Sequence, residues 1–189
     1  MVMQPQGDRA DEVEEIIGED IPAAPAWAGP SRGRWVLFAA LAIAVVAIDQ
    51  VAKAWIVGSL QVGTGYQVLG DWLRVVHGRN SGMLFGLLPQ SAPVFAIVSL
   101  VVMVLIVVYH GRVGRGILMT LALGLLLGGA IGNMLDRVRF GSVIDWIDMG
   151  IGGTRFWTYN LGDAAITTAI LLLIATAVFP ALAGWGSDD

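Results

Sequence analysis

Four long stretches almost free of charge leave few folds open to this chain. They run from Trp35 to about Val57, over 92–109, over 116–135 and over 164–183. The second lies inside a run from Asn80 to Tyr109 that holds no formally charged residue, and the third holds none either. Each approaches the roughly 20 residues that a helix needs to cross about 30 Å of hydrocarbon. Composition agrees: 56% of the 189 residues are hydrophobic and 14% are charged, against about 25% charged in ordinary soluble domains. The expected fold is an all-α membrane protein with four transmembrane helices over 35–183.

The segments outside the helices carry the rest of the organisation. Residues 1–34 hold seven acids and three bases, so the chain's net charge of -4 belongs wholly to this tail. Its mixture of acids with Pro, Ala and Gly reads as a disordered cytoplasmic tail, and its acidic balance argues against a nucleic-acid surface. A charged segment ahead of the first apolar run does not read as a signal peptide. Residues 184–189 form a short C-terminal stub. Arg32 and Arg34 flank the first span, and Arg112 and Arg115 lie between the second and third. Arginine bias places both sets, and both termini, in the cytoplasm. Two segments then face outward. Residues 58–90 contain the strand-like run Tyr66–Val76, expected as a small extracytoplasmic β-sheet or hairpin. Residues 137–160 are expected as a second extracytoplasmic loop, broken by Gly141, Gly150, Gly152 and Gly153. The outer side would also carry Arg74, Arg79, Arg137, Arg139 and Arg155, which need partners or functions. Gly124, Gly128 and Gly132 repeat at the spacing of closely packed membrane helices, and Asp136 continues their stripe.

The chemistry available is narrow. Cysteine is absent, which removes disulfides, thiolate nucleophiles and zinc-thiolate sites. The two histidines, His77 and His110, show neither a metalloprotease spacing nor a triad. Carboxylates, amides and arginines remain, and no metal or cofactor is expected. Ionisable residues at membrane depth are functional candidates by default. Asp49 and Lys53 stand one helical turn apart, as an internal ion pair that supports a site. Asn80, followed by Ser81 and Gly82, suits either a turn or a hold on substrate backbone. Asn133, Asp136 and Arg137 close the third span, as an interfacial ion pair or as part of a site. Asp145 is flanked by Val143, Ile144, Trp146 and Ile147, surroundings that raise a carboxyl pKa. Asn160 fits a helix N-cap and Asp163 the N3 position. If Asp145 and Asp163 meet, they cannot both ionise cheaply, so one keeps a proton near neutral pH. The ionised member then takes a proton from water while the other polarises a carbonyl, which is aspartic peptide hydrolysis. Spacing alone does not bring them together. A small transporter or proton pathway, a structural scaffold and a Ser-Lys peptidase built on Lys53 remain alternatives.

In order along the chain stand Asp49-Gln-x-x-Lys53, Asn80-Ser-Gly-x-x-Phe85-Gly86, Gly128-Gly-x-x-Gly-Asn133-x-x-Asp136-Arg137, Gly141-x-Val-x-Asp145 and Asn160-x-x-Asp163. With these five elements the chain resembles the lipoprotein signal peptidases (signal peptidase II) from about Trp35 to Pro180. The resemblance implies an aspartic endopeptidase of the bacterial inner membrane with its active site near the extracytoplasmic face, and a monomer is expected. It implies that Asp145 and Asp163 are catalytic. Asn80, Gly82, Asn133, Asp136, Arg137 and Asn160 would bind substrate or support the dyad, and Asp49 and Lys53 would support the fold. The implied partners are membrane lipid and prolipoproteins bearing a diacylglyceryl group on Cys, cut just before that Cys. Gly162 stands where the family usually has Ala, and Met83 and Leu84 are bulkier than its pattern.

Overall fold

The computed structural model of the chain describes residues 29–81 and 92–183. Most of the acidic tail, Gly82, Met83, Leu84 and the C-terminal stub lie outside the described residues. Ser31 caps α1 (Arg32–Ser59), its hydroxyl accepting from the Arg34 backbone N–H at 3.3 Å. Then follow β1 (Gly65–Leu69), β2 (Leu73–Asn80), α2 (Ala92–Val113), α3 (Ile117–Phe140), β3 (Val143–Ile151), β4 (Thr154–Arg155) and α4 (Leu161–Val178), with a closing 3-10 turn at Pro180–Ala183.

Among the described residues, α1, α3 and α4 are each long and apolar enough to cross a membrane, and α2 adds a shorter apolar stretch, Ile97–Val113. The burial pattern is inverted relative to a water-soluble protein. Val36, Ile43, Val51, Leu105 and Leu171 are exposed, while Asp49, Lys53 and Asp136 are buried. Such an apolar exterior suits lipid, and such interior charges demand partners.

Helix α3 sits at the centre, packed by α1, α2 and α4. Its glycine stripe explains how α1 comes so close. A Cβ on Gly128 would lie 2.7 Å from the Val45 Cβ, and one on Gly132 would lie 2.6 Å from Asp49 Oδ2. Gly129 faces the other way and meets the Gly162 backbone of α4. Below this level the helices share an apolar core of Phe38, Ala42, Met103, Ile106, Met119, Leu123 and Leu127. His110 is buried beside it, stacked on Phe38 at 4.1 Å between ring centroids.

The segment expected as a second loop is ordered differently. Helix α3 runs on to Phe140 and ends at Gly141, whose φ of 68° makes the left-handed cap that glycine favours. Residues 143–151 then form β3, and the four strands make one antiparallel sheet in the order β1-β2-β3-β4. This strand escapes period-2 reading because neighbouring positions Val143, Ile144 and Asp145 are all buried. Two of its supposed breakers stand at its ends, Gly141 before it and Gly152 (φ 58°) in the turn to β4. Ile56 of α1, Val75 of β2 and Ile144 of β3 form a second buried cluster that seats the sheet on the end of α1. His77 adds a bond there, with its Nδ1 2.8 Å from the Leu60 carbonyl oxygen.

Two of the arginines in need of partners share Asp148. Arg74 lies 2.6 Å and Arg155 3.0 Å from its carboxylate oxygens. Burial alone would raise the Asp148 pKa, but hydrogen bonds and charge from Arg155 and Arg74 hold it below the ordinary carboxylate range.

Candidate active site

The site is built on a buried ionic trio. One turn of α1 separates Asp49 from Lys53, and Asp49 lies against Gly132 in the glycine stripe of α3. Lys53 Nζ lies 2.7 Å from Asp49 Oδ2 and 2.8 Å from Asp136 Oδ2. A buried ion pair repays its desolvation only when the remaining lone pairs are also satisfied. Here they are. Asp49 Oδ1 accepts from Gly162 N at 3.0 Å, Asp136 Oδ1 from Gln50 Nε2 at 3.0 Å, and Asp136 Oδ2 from Ile144 N at 3.1 Å. The trio therefore ties α1, α3, the start of β3 and the first turn of α4 together. Gln50 had no expected role. Its amide also donates to the Gly132 carbonyl at 3.2 Å and accepts from Arg139 at 3.0 Å. Its position beside Asp49 in the first motif is the only sequence signal for it.

Asp163 is held at the start of α4. Asn160 is the N-cap, as expected, and the two residues form a reciprocal capping box. Asn160 Oδ1 accepts from Asp163 N at 2.9 Å, and Asn160 N donates to Asp163 Oδ2 at 3.2 Å. From α3, Asn133 Nδ2 donates to Asp163 Oδ1 at 2.7 Å. The Asn133 oxygen accepts in turn from Lys53 Nζ at 3.0 Å.

Asp145 arrives from the sheet. Pairing of β2 with β3 sets Gly78 opposite Asp145 and Asn80 opposite Val143. Backbone bonds between Tyr159 and the Trp146–Ile147 segment bring residue 160 alongside. Asn80 Nδ2 then donates to Asp145 Oδ2 at 3.1 Å, and Asn160 Nδ2 to Asp145 Oδ1 at 2.8 Å. Burial, followed by the negative charge of Asp163, pushes the Asp145 pKa up to about 6 in spite of these bonds. Arg137, bonded to the Asn133 carbonyl at 3.2 Å, interacts electrostatically with Asp163, Asp145 and Asp136.

Asp145, Asp163, Asn80, Asn133, Arg137 and Asn160 thus converge, with Asp49, Lys53 and Asp136 directly behind them. Gly82 is the one expected site residue outside the described residues. Asn160 touches both aspartates, and the two carboxyls act electrostatically on one another. Two carboxyls placed in this way can divide acid and base roles between them.

Known proteins place this arrangement in a family. The family model described as "Signal peptidase (SPase) II" matches residues 41–179. The lipoprotein signal peptidase of Staphylococcus carnosus is 36% identical over 140 residues, covering 74% of this chain and 88% of its own length. That of Staphylococcus haemolyticus is 33% identical over 135 residues, covering 71% and 85%. Among solved structures, a bacterial membrane enzyme determined by the in meso method at 1.9 Å superposes with a TM-score of 0.72 at 29% identity, covering 81% of this chain and 97% of that one. The chain therefore belongs to the signal peptidase II family, the membrane peptidases of bacteria.

Proposed function

We propose that this chain removes the signal peptide from diacylglyceryl-modified prolipoproteins, cutting just before the lipidated Cys, with Asp145 and Asp163 as its catalytic pair. The carrying observation is that one residue, Asn160, hydrogen-bonds to both carboxyl groups while burial and the charge of Asp163 raise the Asp145 pKa to about 6. The ionised carboxylate removes a proton from a water molecule, whose oxygen attacks the scissile carbonyl carbon. The protonated carboxyl donates a hydrogen bond to the carbonyl oxygen as charge builds there. The C–N bond then breaks, and the amino group of the lipidated Cys leaves with a proton from the pair. Hydrolysis regenerates the starting protonation.

The organisation that goes with this chemistry is a four-span peptidase domain over 35–183 in the bacterial inner membrane. The acidic tail and the C-terminus lie in the cytoplasm, and the sheet and the dyad lie at the extracytoplasmic face. A substrate anchored by two acyl chains presents its peptide bond at that depth, and lipid burial supplies local concentration. A proton pathway has less support, because the apolar core from Phe38 to Leu127 lies along the bundle and separates the dyad from the Trp35 end of α1.

The test compares diacylated and unmodified forms of one precursor with the purified protein in detergent. The expected result is cleavage of the diacylated form alone, with the lipidated Cys as the new N-terminus by mass spectrometry. Equal cleavage of the unmodified form would overturn the lipid-dependent reading.

A further inference from the structure

Lys53 does more than close an ion pair. Its ammonium has three N–H donors, and three acceptors surround it: Asp49 Oδ2 at 2.7 Å, Asp136 Oδ2 at 2.8 Å and Asn133 Oδ1 at 3.0 Å. All four side chains are buried, with Lys53 2% and Asn133 5% exposed. We propose that Lys53 is a positioning residue, fixing the orientation of the Asn133 amide so that its N–H faces the Asp163 carboxylate.

An asparagine side chain has two unlike ends. Its oxygen only accepts and its nitrogen only donates. An ammonium is a donor without acceptor capacity, so it admits Oδ1 and repels Nδ2. Asp163 has the opposite demand, and Asn133 Nδ2 meets it at 2.7 Å. Turning the amide over would set N–H against ammonium and oxygen against carboxylate, losing both bonds. Lys53 has no latitude of its own, since Asp49 is pinned by Gly162 N and Asp136 by Ile144 N. The chain's only lysine thus sets the dyad's hydrogen bonding from one residue away, its own three N–H groups being taken by Asp49, Asp136 and Asn133.

This inference rests on the assignment of Asp145 and Asp163, and its test separates the two. Lys53→Met alone would strand two buried carboxylates and is expected to unfold the protein. The informative variant is Lys53→Met with Asp49→Asn, which removes one charge of each sign, leaves the Asn oxygen for Gly162 N, and leaves Asp136 the donors Gln50 Nε2 and Ile144 N. Melting temperature and gel filtration establish its fold, and Asp49→Asn alone is the reference. Relative to that reference, kcat for a diacylated precursor is expected to fall about ten- to a hundredfold, the usual range for removing a supporting partner, with KM within about twofold. Repeated on an Asn133→Ala background, the same change should cost less than about twofold, because the amide it orients is gone. An equal loss in both backgrounds would make Lys53 a scaffold residue and overturn the inference alone. Full cleavage by Asp145→Asn or Asp163→Asn would overturn the dyad, and the inference with it.

Discussion

Gly129 of α3 and Gly162 of α4 meet backbone to backbone. A Cβ on Gly129 would overlap the Gly162 carbonyl, whereas a Cβ on Gly162 would lie 3.2 Å from the Gly129 carbonyl and 3.0 Å from Asn160 Oδ1. The contact sits one residue before Asp163, so it sets how far the second carboxyl stands from α3.

The two positions should therefore respond unequally to alanine. Gly129→Ala forces the helices apart at a backbone contact, an overpacking cost of about 1–3 kcal/mol, and carries Asp163 away from Asn133. Gly162→Ala asks neighbours to yield by tenths of an ångström and gains helix propensity of up to about 1 kcal/mol. Thermal melting and cleavage rate together check this: loss of both in the first variant, and near-parental values in the second.

Activity should depend on pH through the pair. Asp145 titrates near 6 in the folded protein, raised by burial and then by Asp163. Asp163, Arg137, Asn80, Asn160 and, further back, Lys53 act on it from the surrounding elements. The singly protonated pair is lost as pH rises through that value, so kcat/KM is expected to fall about tenfold per pH unit above it. The same shift acts on folding. Between the ordinary carboxylate range and about 6 the native state binds the extra proton, so stability declines as pH rises through that window. A flat kcat/KM profile from pH 5 to 8 would contradict the assignment.

Asn160 separates stability from catalysis. Asn160→Ser keeps an oxygen that caps α4 but is too short to reach Asp145 as well. Its expected effect is a stability change within about 1 kcal/mol alongside a cleavage rate lower by tenfold or more. Equal loss of both would mean that the cap is its whole role.

Asp148 should make the sheet acid-sensitive. Its pKa is held low by Arg155 and Arg74 against the effect of burial, so its contribution is present above the ordinary carboxylate range and fades as pH falls through the folded value. Asp148→Asn is expected to lower the melting temperature at pH 7 and to flatten its decline on acidification, measured by melts from pH 7 to pH 3.

Much of this was legible in the sequence, for definite reasons. Helix α4 opens at Asn160 and Asp163 because capping chemistry is local, and the Tyr66–Val76 run became β1 and β2 because it lies outside the apolar stretches. Strand β3 was hidden because Val143, Ile144 and Asp145 are all buried, which erases the alternation that marks a half-exposed strand. Gln50 and the Asp148 clamp were hidden for a different reason. Gln50 meets Asp136 from 86 residues away and Arg74 meets Asp148 from 74, and no spacing rule reaches across such separations. The convergence of Asp145 with Asp163 is likewise tertiary, since it depends on Tyr159 pairing with Trp146 and Ile147 and so bringing Asn160 beside Asp145.

Whether Asp145 and Asp163 are the catalytic pair is decided by the cleavage rate of a diacylated precursor by Asp145→Asn and Asp163→Asn, each shown to be folded by melting and gel filtration. Cleavage is expected with the parental protein and none above background in either variant. Turnover persisting in a folded variant lacking either carboxylate would contradict that assignment.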